Sequence, residues 1–136
     1  MICPVCKEPM VVLELNEVEI DYCTSCSGIW LDGGELELLI EDKAERERIL
    51  STFHKAEVRT EKKYKCPICN KKMDKVYVGE NREVIIDKCP DNDGLWFDEG
   101  ELNKVIQLAS EENKVIKLLN DMFGNKLTTN QNGENK

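Results

Sequence analysis

Apolar and polar residues alternate twice near the start of the chain, in VVLEL (Val11–Leu15) and VEIDY (Val18–Tyr22). Alternation with period two buries one face of a strand, and Asn16 and Glu17 supply a polar turn, so the pattern predicts a β-hairpin. KVYV (75–78) and EVIID (83–87) repeat it around the turn-like GENRE (79–83). After each hairpin the period lengthens. Leu36, Leu39 and Ile40, then Ile49, Leu50 and Phe53, predict one helix running from residue 34 towards residue 59. Its middle, EDKAERER (41–48), is almost wholly charged with mixed signs, which predicts a solvated connector that holds the two halves apart. Further on, Leu102, Val105, Ile106 and Ala109 form a helical stripe. Ser110, with Glu111 and Glu112, opens a second helix carrying Val115, Ile116, Leu118, Leu119, Met122 and Phe123, and Gly124 closes it. That last helix is more apolar than one small hairpin can cover. It either packs back on the chain or presents a face for self-association or a partner. The remaining NKLTTNQNGENK is polar and is expected to be disordered.

The two hairpins belong to an internal repeat. CPVCKEPM at Cys3 matches CPICNKKM at Cys66, an offset of 63, and IDYC ending at Cys23 matches IDKC ending at Cys89, an offset of 66. The three extra residues fall in the GENRE turn, where insertion is tolerated. CTSCSGIWLDGGEL (23–36) then matches CPDNDGLWFDEGEL (89–102) at Gly, Trp, Asp, Gly, Glu and Leu. In both copies the Asp and the Glu three residues later, Asp32 with Glu35 and Asp98 with Glu101, are spaced as N-cap and N3 of a capping box. This reading outweighs a catalytic carboxylate pair. Trp30 and Trp96 are expected in the core, since an indole supplies much of the apolar area available to so small a unit; recognition of a partner is the alternative. His54, the lone histidine, is distant in sequence from the cysteines and reads as a surface residue.

Seven cysteines among 136 residues change the picture more than any other compositional fact. Nothing of signal-peptide length opens the sequence, because Cys3 and Cys6 interrupt it, and no stretch approaches membrane-spanning length. The expected compartment is therefore the reducing cytoplasm, where clustered cysteines more often hold metal than form disulfides. Cys3-x2-Cys6 and Cys23-x2-Cys26 flank a hairpin, which predicts a closed tetrahedral four-thiolate zinc site; iron in the same ligand set is the main rival, and a thiol redox pair fits less well. Copy two offers Cys66, Cys69 and Cys89, but Asn92 stands where copy one has Cys26. A neutral amide is a poor zinc ligand. Asp93, one residue further on, is the favoured fourth ligand, with Asp91, water or no stable metal as alternatives. A three-cysteine site with bound water would be catalytic in principle, yet no histidine or poised acid accompanies it.

The formal charge is −8. Zinc on four thiolates adds two negative charges and zinc on three thiolates and a carboxylate adds one, so the doubly loaded chain approaches −11. Such a field repels nucleic-acid phosphates unless lysines cluster.

CPxCxxxM followed by CxxCxGxWLDxGEL resembles the transcription factor IIB-type zinc-finger family of small prokaryotic zinc ribbons. The resemblance covers about residues 1–40 and 64–106. It implies ligands Cys3, Cys6, Cys23 and Cys26 in one ribbon and Cys66, Cys69 and Cys89 in the other. Family members often carry a histidine four residues after the third cysteine, and here that place is Asp93. The departure bears on metal affinity, not on the fold.

The fold class predicted is small α+β: two zinc ribbons, each a β-hairpin with knuckles followed by an α-helix, joined by a long charged helix. The expected divisions are ribbon one with its helix start (1–40), charged helical linker (41–63), ribbon two with its helix (64–109), amphipathic C-terminal helix (110–123) and tail (124–136). The expected function is non-enzymatic: a tandem zinc-ribbon module acting by protein–protein contact, linked to transcription. The alternatives are nucleic-acid binding through the more basic run KAEVRTEKKYK (55–65), and a metal sensor or enzyme at the irregular second site.

Overall fold

In the computed structural model the two halves of the chain form a single sheet. The structure describes residues 1–57, 63–109 and 114–123. Strands β1 (Val11–Leu15) and β2 (Val18–Tyr22) are the first predicted hairpin; β5 (Asp74–Val78) and β6 (Val84–Lys88) are the second. Each hairpin gains a third strand, β3 (Ile29–Asp32) or β7 (Gly94–Phe97), out of the Trp-bearing segment. β3 and β7 then pair with each other antiparallel, Trp30 opposite Trp96. The strand order is β1-β2-β3-β7-β6-β5-β4, where β4 is the short His54–Lys55 strand. The expectation that a charged helix keeps the ribbons apart is thus corrected. Two three-stranded halves join edge to edge about an approximate two-fold axis.

The join is packed around two glycines. A Cβ on Gly28 would lie 2.1 Å from a ring carbon of Trp96, and a Cβ on Gly94 would lie 2.5 Å from a ring carbon of Trp30. Gly28 and Gly94 are equivalent in the repeat. Each indole therefore lies on the glycine of the other ribbon, and both Trp side chains are fully buried. Trp30, Trp96, Met10, Met73 and four of the cysteines form one apolar cluster. A second cluster fills the opposite side of the sheet. It combines Leu15 and Ile20 of ribbon one with Val78 and Ile86 of ribbon two and with residues from every helix.

The linker contributes to that second cluster, which is why it is not one helix. α1 (Glu35–Leu39) stops at Ile40, whose backbone is extended (φ −97, ψ 103). The chain restarts as α2 (Lys43–Ser51), capped by Asp42, whose side chain accepts from the Glu45 N–H at 3.0 Å. Arg46 Nε donates to the freed Ile40 carbonyl at 3.1 Å. A straight helix would carry Ile49 away from Leu36, Leu39 and Ile40; the break lets all four enter the core. His54 is exposed as expected. α3 (Glu101–Ala109) and α4 (Lys114–Phe123) follow the second ribbon, and α4 reaches back to β1, with Val115 and Leu119 fully buried. The predicted cap residues Ser110, Glu111, Glu112 and Gly124, the Met122 and Phe123 side chains and the tail lie outside the described residues. Among the described residues no helix is long and apolar enough to cross a membrane.

The predicted capping boxes form by halves. Glu35 Oε1 accepts from the Asp32 N–H at 2.7 Å, and Glu101 Oε1 from the Asp98 N–H at 2.9 Å. The Asp side chains do not turn to the helix. Asp32 Oδ1 accepts from Trp30 Nε1 at 2.8 Å and Asp98 Oδ1 from Trp96 Nε1 at 2.9 Å. A buried indole N–H without an acceptor costs more than a helix end that water can solvate, so the Trp takes the carboxylate. The chain enters each helix through a left-handed glycine instead, Gly34 at φ 91 and Gly100 at φ 83. Burial pushes the Glu101 carboxyl up to about 7 even though the Asp98 N–H favours its charged form.

Substitution Gly28→Ala is expected to destabilise the zinc-loaded chain by about 1–3 kcal/mol, since a buried ring must move. The check is the urea midpoint in excess zinc, with Thr24→Ala, at an exposed position of the same knuckle, as the control.

Candidate metal centre

Three of the four knuckles share one construction. The first cysteine of the turn donates its N–H to a residue five positions on, and the fourth residue after it donates back to its carbonyl. Cys3 N–H donates to Glu8 O (2.8 Å) and Lys7 N–H to Cys3 O (3.0 Å); Cys23 pairs likewise with Gly28 and Ser27, and Cys66 with Lys71 and Asn70. In each turn that fourth residue is left-handed: Lys7 at φ 66, Ser27 at φ 65, Asn70 at φ 67. The second cysteine immediately precedes it and points inwards. Backbone N–H groups face the thiols, as with Cys6 N–H to Cys3 Sγ at 3.2 Å and Ile68 N–H to Cys66 Sγ at 3.4 Å.

The fourth knuckle keeps its ends and shifts its turn. Cys89 N–H still donates to Gly94 O at 3.1 Å, the same five-residue closure as Cys23 with Gly28. The left-handed residue, however, is Asn92 (φ 64), one position earlier than in the other three, and its N–H donates to Cys89 O at 3.0 Å. The ligand position moves correspondingly one residue later, to Asp93. Asn tolerates the left-handed region better than most residues with a Cβ. Asn at 92 is thus the residue that re-registers the turn, a signal present in DND but not read from the sequence. Its own side chain is turned away: Asn92 Oδ1 accepts from Lys88 Nζ. Asp91 also faces elsewhere, with Oδ2 2.7 Å from Lys71 Nζ.

Two four-donor groups result, Cys3, Cys6, Cys23 and Cys26, and Cys66, Cys69, Cys89 and Asp93. Within each, one ligand atom per residue lies within 4.8 Å of all the others. Zinc with bonds of about 2.3 Å to sulfur and about 2.0 Å to oxygen holds tetrahedral sulfurs about 3.8 Å apart and a sulfur and an oxygen about 3.5 Å apart. The observed separations are 3.7 Å for Cys3 Sγ and Cys26 Sγ, 3.6 Å for Cys69 Sγ and Cys89 Sγ, and 3.6 Å for Cys66 Sγ and Asp93 Oδ2. A disulfide needs sulfurs about 2.0 Å apart. The donor sets therefore fit two zinc ions, which would cross-link the two knuckles of each ribbon.

Asp93 is held by the other ribbon. Its carbonyl accepts from the Gly33 N–H at 2.9 Å, and a Cβ on Gly33 would lie 2.8 Å from Asn92 O. Gly33 was not among the sequence candidates, because only the tertiary contact gives it a role. The thiols differ in proton affinity. Burial pushes Cys66 up to about 12 and raises Cys26 as well. Burial also raises Cys23, but N–H groups of Cys26 and Ser25 more than offset it and bring that thiol to about 7. Metal must displace protons from the raised thiols, so affinity falls as pH falls.

Paired zinc-thiolate knuckles on three-stranded β ribbons define a tandem zinc-ribbon protein. Residues 2–42 and 65–108 both match the family described as "Transcription factor zinc-finger". With more than half of its length matched, the chain belongs to that family. Comparison with curated proteins and with solved structures found no match.

The metal content of the purified chain is expected to be two zinc ions, falling to one in Asp93→Ala. The shifted turn makes a sharper expectation. Asp93→Cys tightens the second site, whereas Asn92→Cys, which restores the aligned cysteine, does not. Competition with a chromophoric chelator at two pH values measures both effects, and each site should weaken on acidification by up to about tenfold per pH unit for every proton released.

Proposed function

We propose that the protein is a non-catalytic interaction module: two zinc ribbons fused into one rigid sheet that binds other proteins, in a role linked to transcription. One observation carries this reading. Each site brings four protein donors together, so a tetrahedral ion has no coordination position left for water or substrate. That supports a structural metal over a hydrolytic or sensing one. The family description supports the link to transcription. The charge of −8 favours a protein over a nucleic acid as partner. The C-terminal helix offers less for self-association than its sequence suggests, since Val115, Ile116 and Leu119 are covered within the chain. A reducing cytoplasm suits thiolate ligands.

Nucleic-acid binding is the second reading, favoured by the exposed Lys55, Lys63 and Lys65. Residues 58–62 of that basic run lie outside the described residues.

Capture from native cell extract with the zinc-loaded chain is expected to retain a protein partner that survives nuclease treatment. Retention that disappears with nuclease, together with salt-dependent DNA or RNA binding lost in Lys62→Ala, Lys63→Ala, Lys65→Ala, would overturn this reading in favour of the second.

A further inference from the structure

The two ribbons are repeats, so a difference in what covers each is informative. The outer edge of ribbon two is closed. β4 pairs antiparallel with β5, His54 opposite Tyr77 and Lys55 opposite Val76, and Ala56 N–H donates to Lys75 O at 2.8 Å. Lys55 Nζ lies 3.7 Å from Asp74 Oδ1. At an offset of 63, β1 occupies the place of β5, with Val12 for Lys75 and Glu14 for Tyr77. Yet β1 ends the sheet, and among the described residues no strand pairs with its outer side. Val12 is 61% exposed where Lys75 is 5% exposed, and Val11 is exposed beside it. The strand is held from within, because Leu15 is fully buried in the core that α4 completes. A firmly held edge with free backbone groups is a template for one more strand.

Charge narrows what that strand can be. Val12 stands opposite Asp21, and Glu14 opposite Glu19, on the sheet face opposite the helix-covered core, the face that also carries Trp30. Glu14, Glu17 and Glu19 are all exposed. In ribbon two the equivalent of the first pair is a buried ion pair, Lys75 Nζ 2.8 Å from Asp87 Oδ1. Ribbon one keeps the aspartate as Asp21 and has no lysine in its own β1. A second copy of the chain is a poor occupant. Antiparallel pairing of β1 with β1 would gather Glu14 and Glu19 of both copies on one face, and like charges across strands repel.

We propose that the open edge of β1 accepts an extended, lysine- or arginine-bearing segment of a partner protein as an eighth, antiparallel strand, as β4 closes β5. The inference rests on the protein-interaction reading and names the surface and the partner's chemistry. Backbone hydrogen bonds supply the pairing, and basic side chains meet Glu14 and Glu19 on the outer face.

The probe is a fluorescein-labelled peptide of alternating lysine and valine, titrated by anisotropy into the zinc-loaded full chain. Saturable binding is expected, with slowed amide exchange on β1. Three changes should each weaken it by about tenfold or more: glutamate in place of lysine in the peptide, N-methylation of alternate peptide bonds, and the double variant Glu14→Lys, Glu19→Lys. The double variant should retain two zinc ions, since both side chains are exposed. No binding, equal binding of the N-methylated peptide, or exchange protection away from β1 would overturn the proposal. If the double variant still captures the nuclease-resistant partner, the edge is wrong while the interaction reading stands; if no such partner exists, that reading itself fails.

Discussion

An indole laid on a glycine, once in each direction across β3 and β7, is the contact on which the rest of this structure depends. Trp96 fits only because position 28 has no side chain, and Trp30 only because position 94 has none. Those two packings bring β3 and β7 close enough to pair, Trp30 opposite Trp96. Each ribbon alone would have exposed a Trp-bearing edge strand and too small a core. Joined, they bury both indoles completely and give one sheet with a continuous apolar layer beneath it. The aromatic area withdrawn from water is among the largest single contributions available to a chain of this size.

The signature Trp–x–Asp–x–Gly–Glu–Leu follows from that burial. An indole cannot be buried with its N–H unpaired, so the Asp two residues on accepts it in both copies. With the carboxylate used in this way, the Glu holds the Asp N–H, the left-handed Gly turns the chain, and the Leu enters the core as the first helix residue to be buried. The motif is one hydrogen-bonded chain of consequences rather than a helix cap alone. The same closeness of the halves brings Gly33 to the Asp93 carbonyl, so the geometry of the second metal site is set partly by the first ribbon.

The replacement of Cys26 by Asn92 in the repeat is a change of turn, not a loss of ligand. Both knuckles span five residues from cysteine to glycine and close with the same hydrogen bond. Moving the left-handed residue from the fourth position to the third moves the inward-pointing residue from the third to the fourth. Asn suits the first of these positions and Asp suits the second. The two substitutions belong together, because either alone would leave the turn without a ligand or the ligand without its turn.

The sequence by itself determined the local structure. Period-two alternation placed both hairpins, C-x2-C spacing placed the knuckles, and the repeat identified equivalent residues. Donor chemistry singled out Asp93 over Asn92. These features are legible because they are set by residues a few positions apart. Tertiary structure decided how the halves are arranged. A charged run of 41–48 has the composition of a solvated rod, and nothing local reveals that Leu36, Leu39, Ile40 and Ile49 must meet, which is what breaks the helix at Ile40. Nor does local sequence show that an Asp three residues before a Glu will serve an indole rather than a helix end. The pairing of β3 with β7, the added strand β4 and the open edge at β1 arise from contacts between residues about 20 to 70 positions apart. Such contacts are stabilised by shape and burial in three dimensions, and these leave no fixed spacing in the chain.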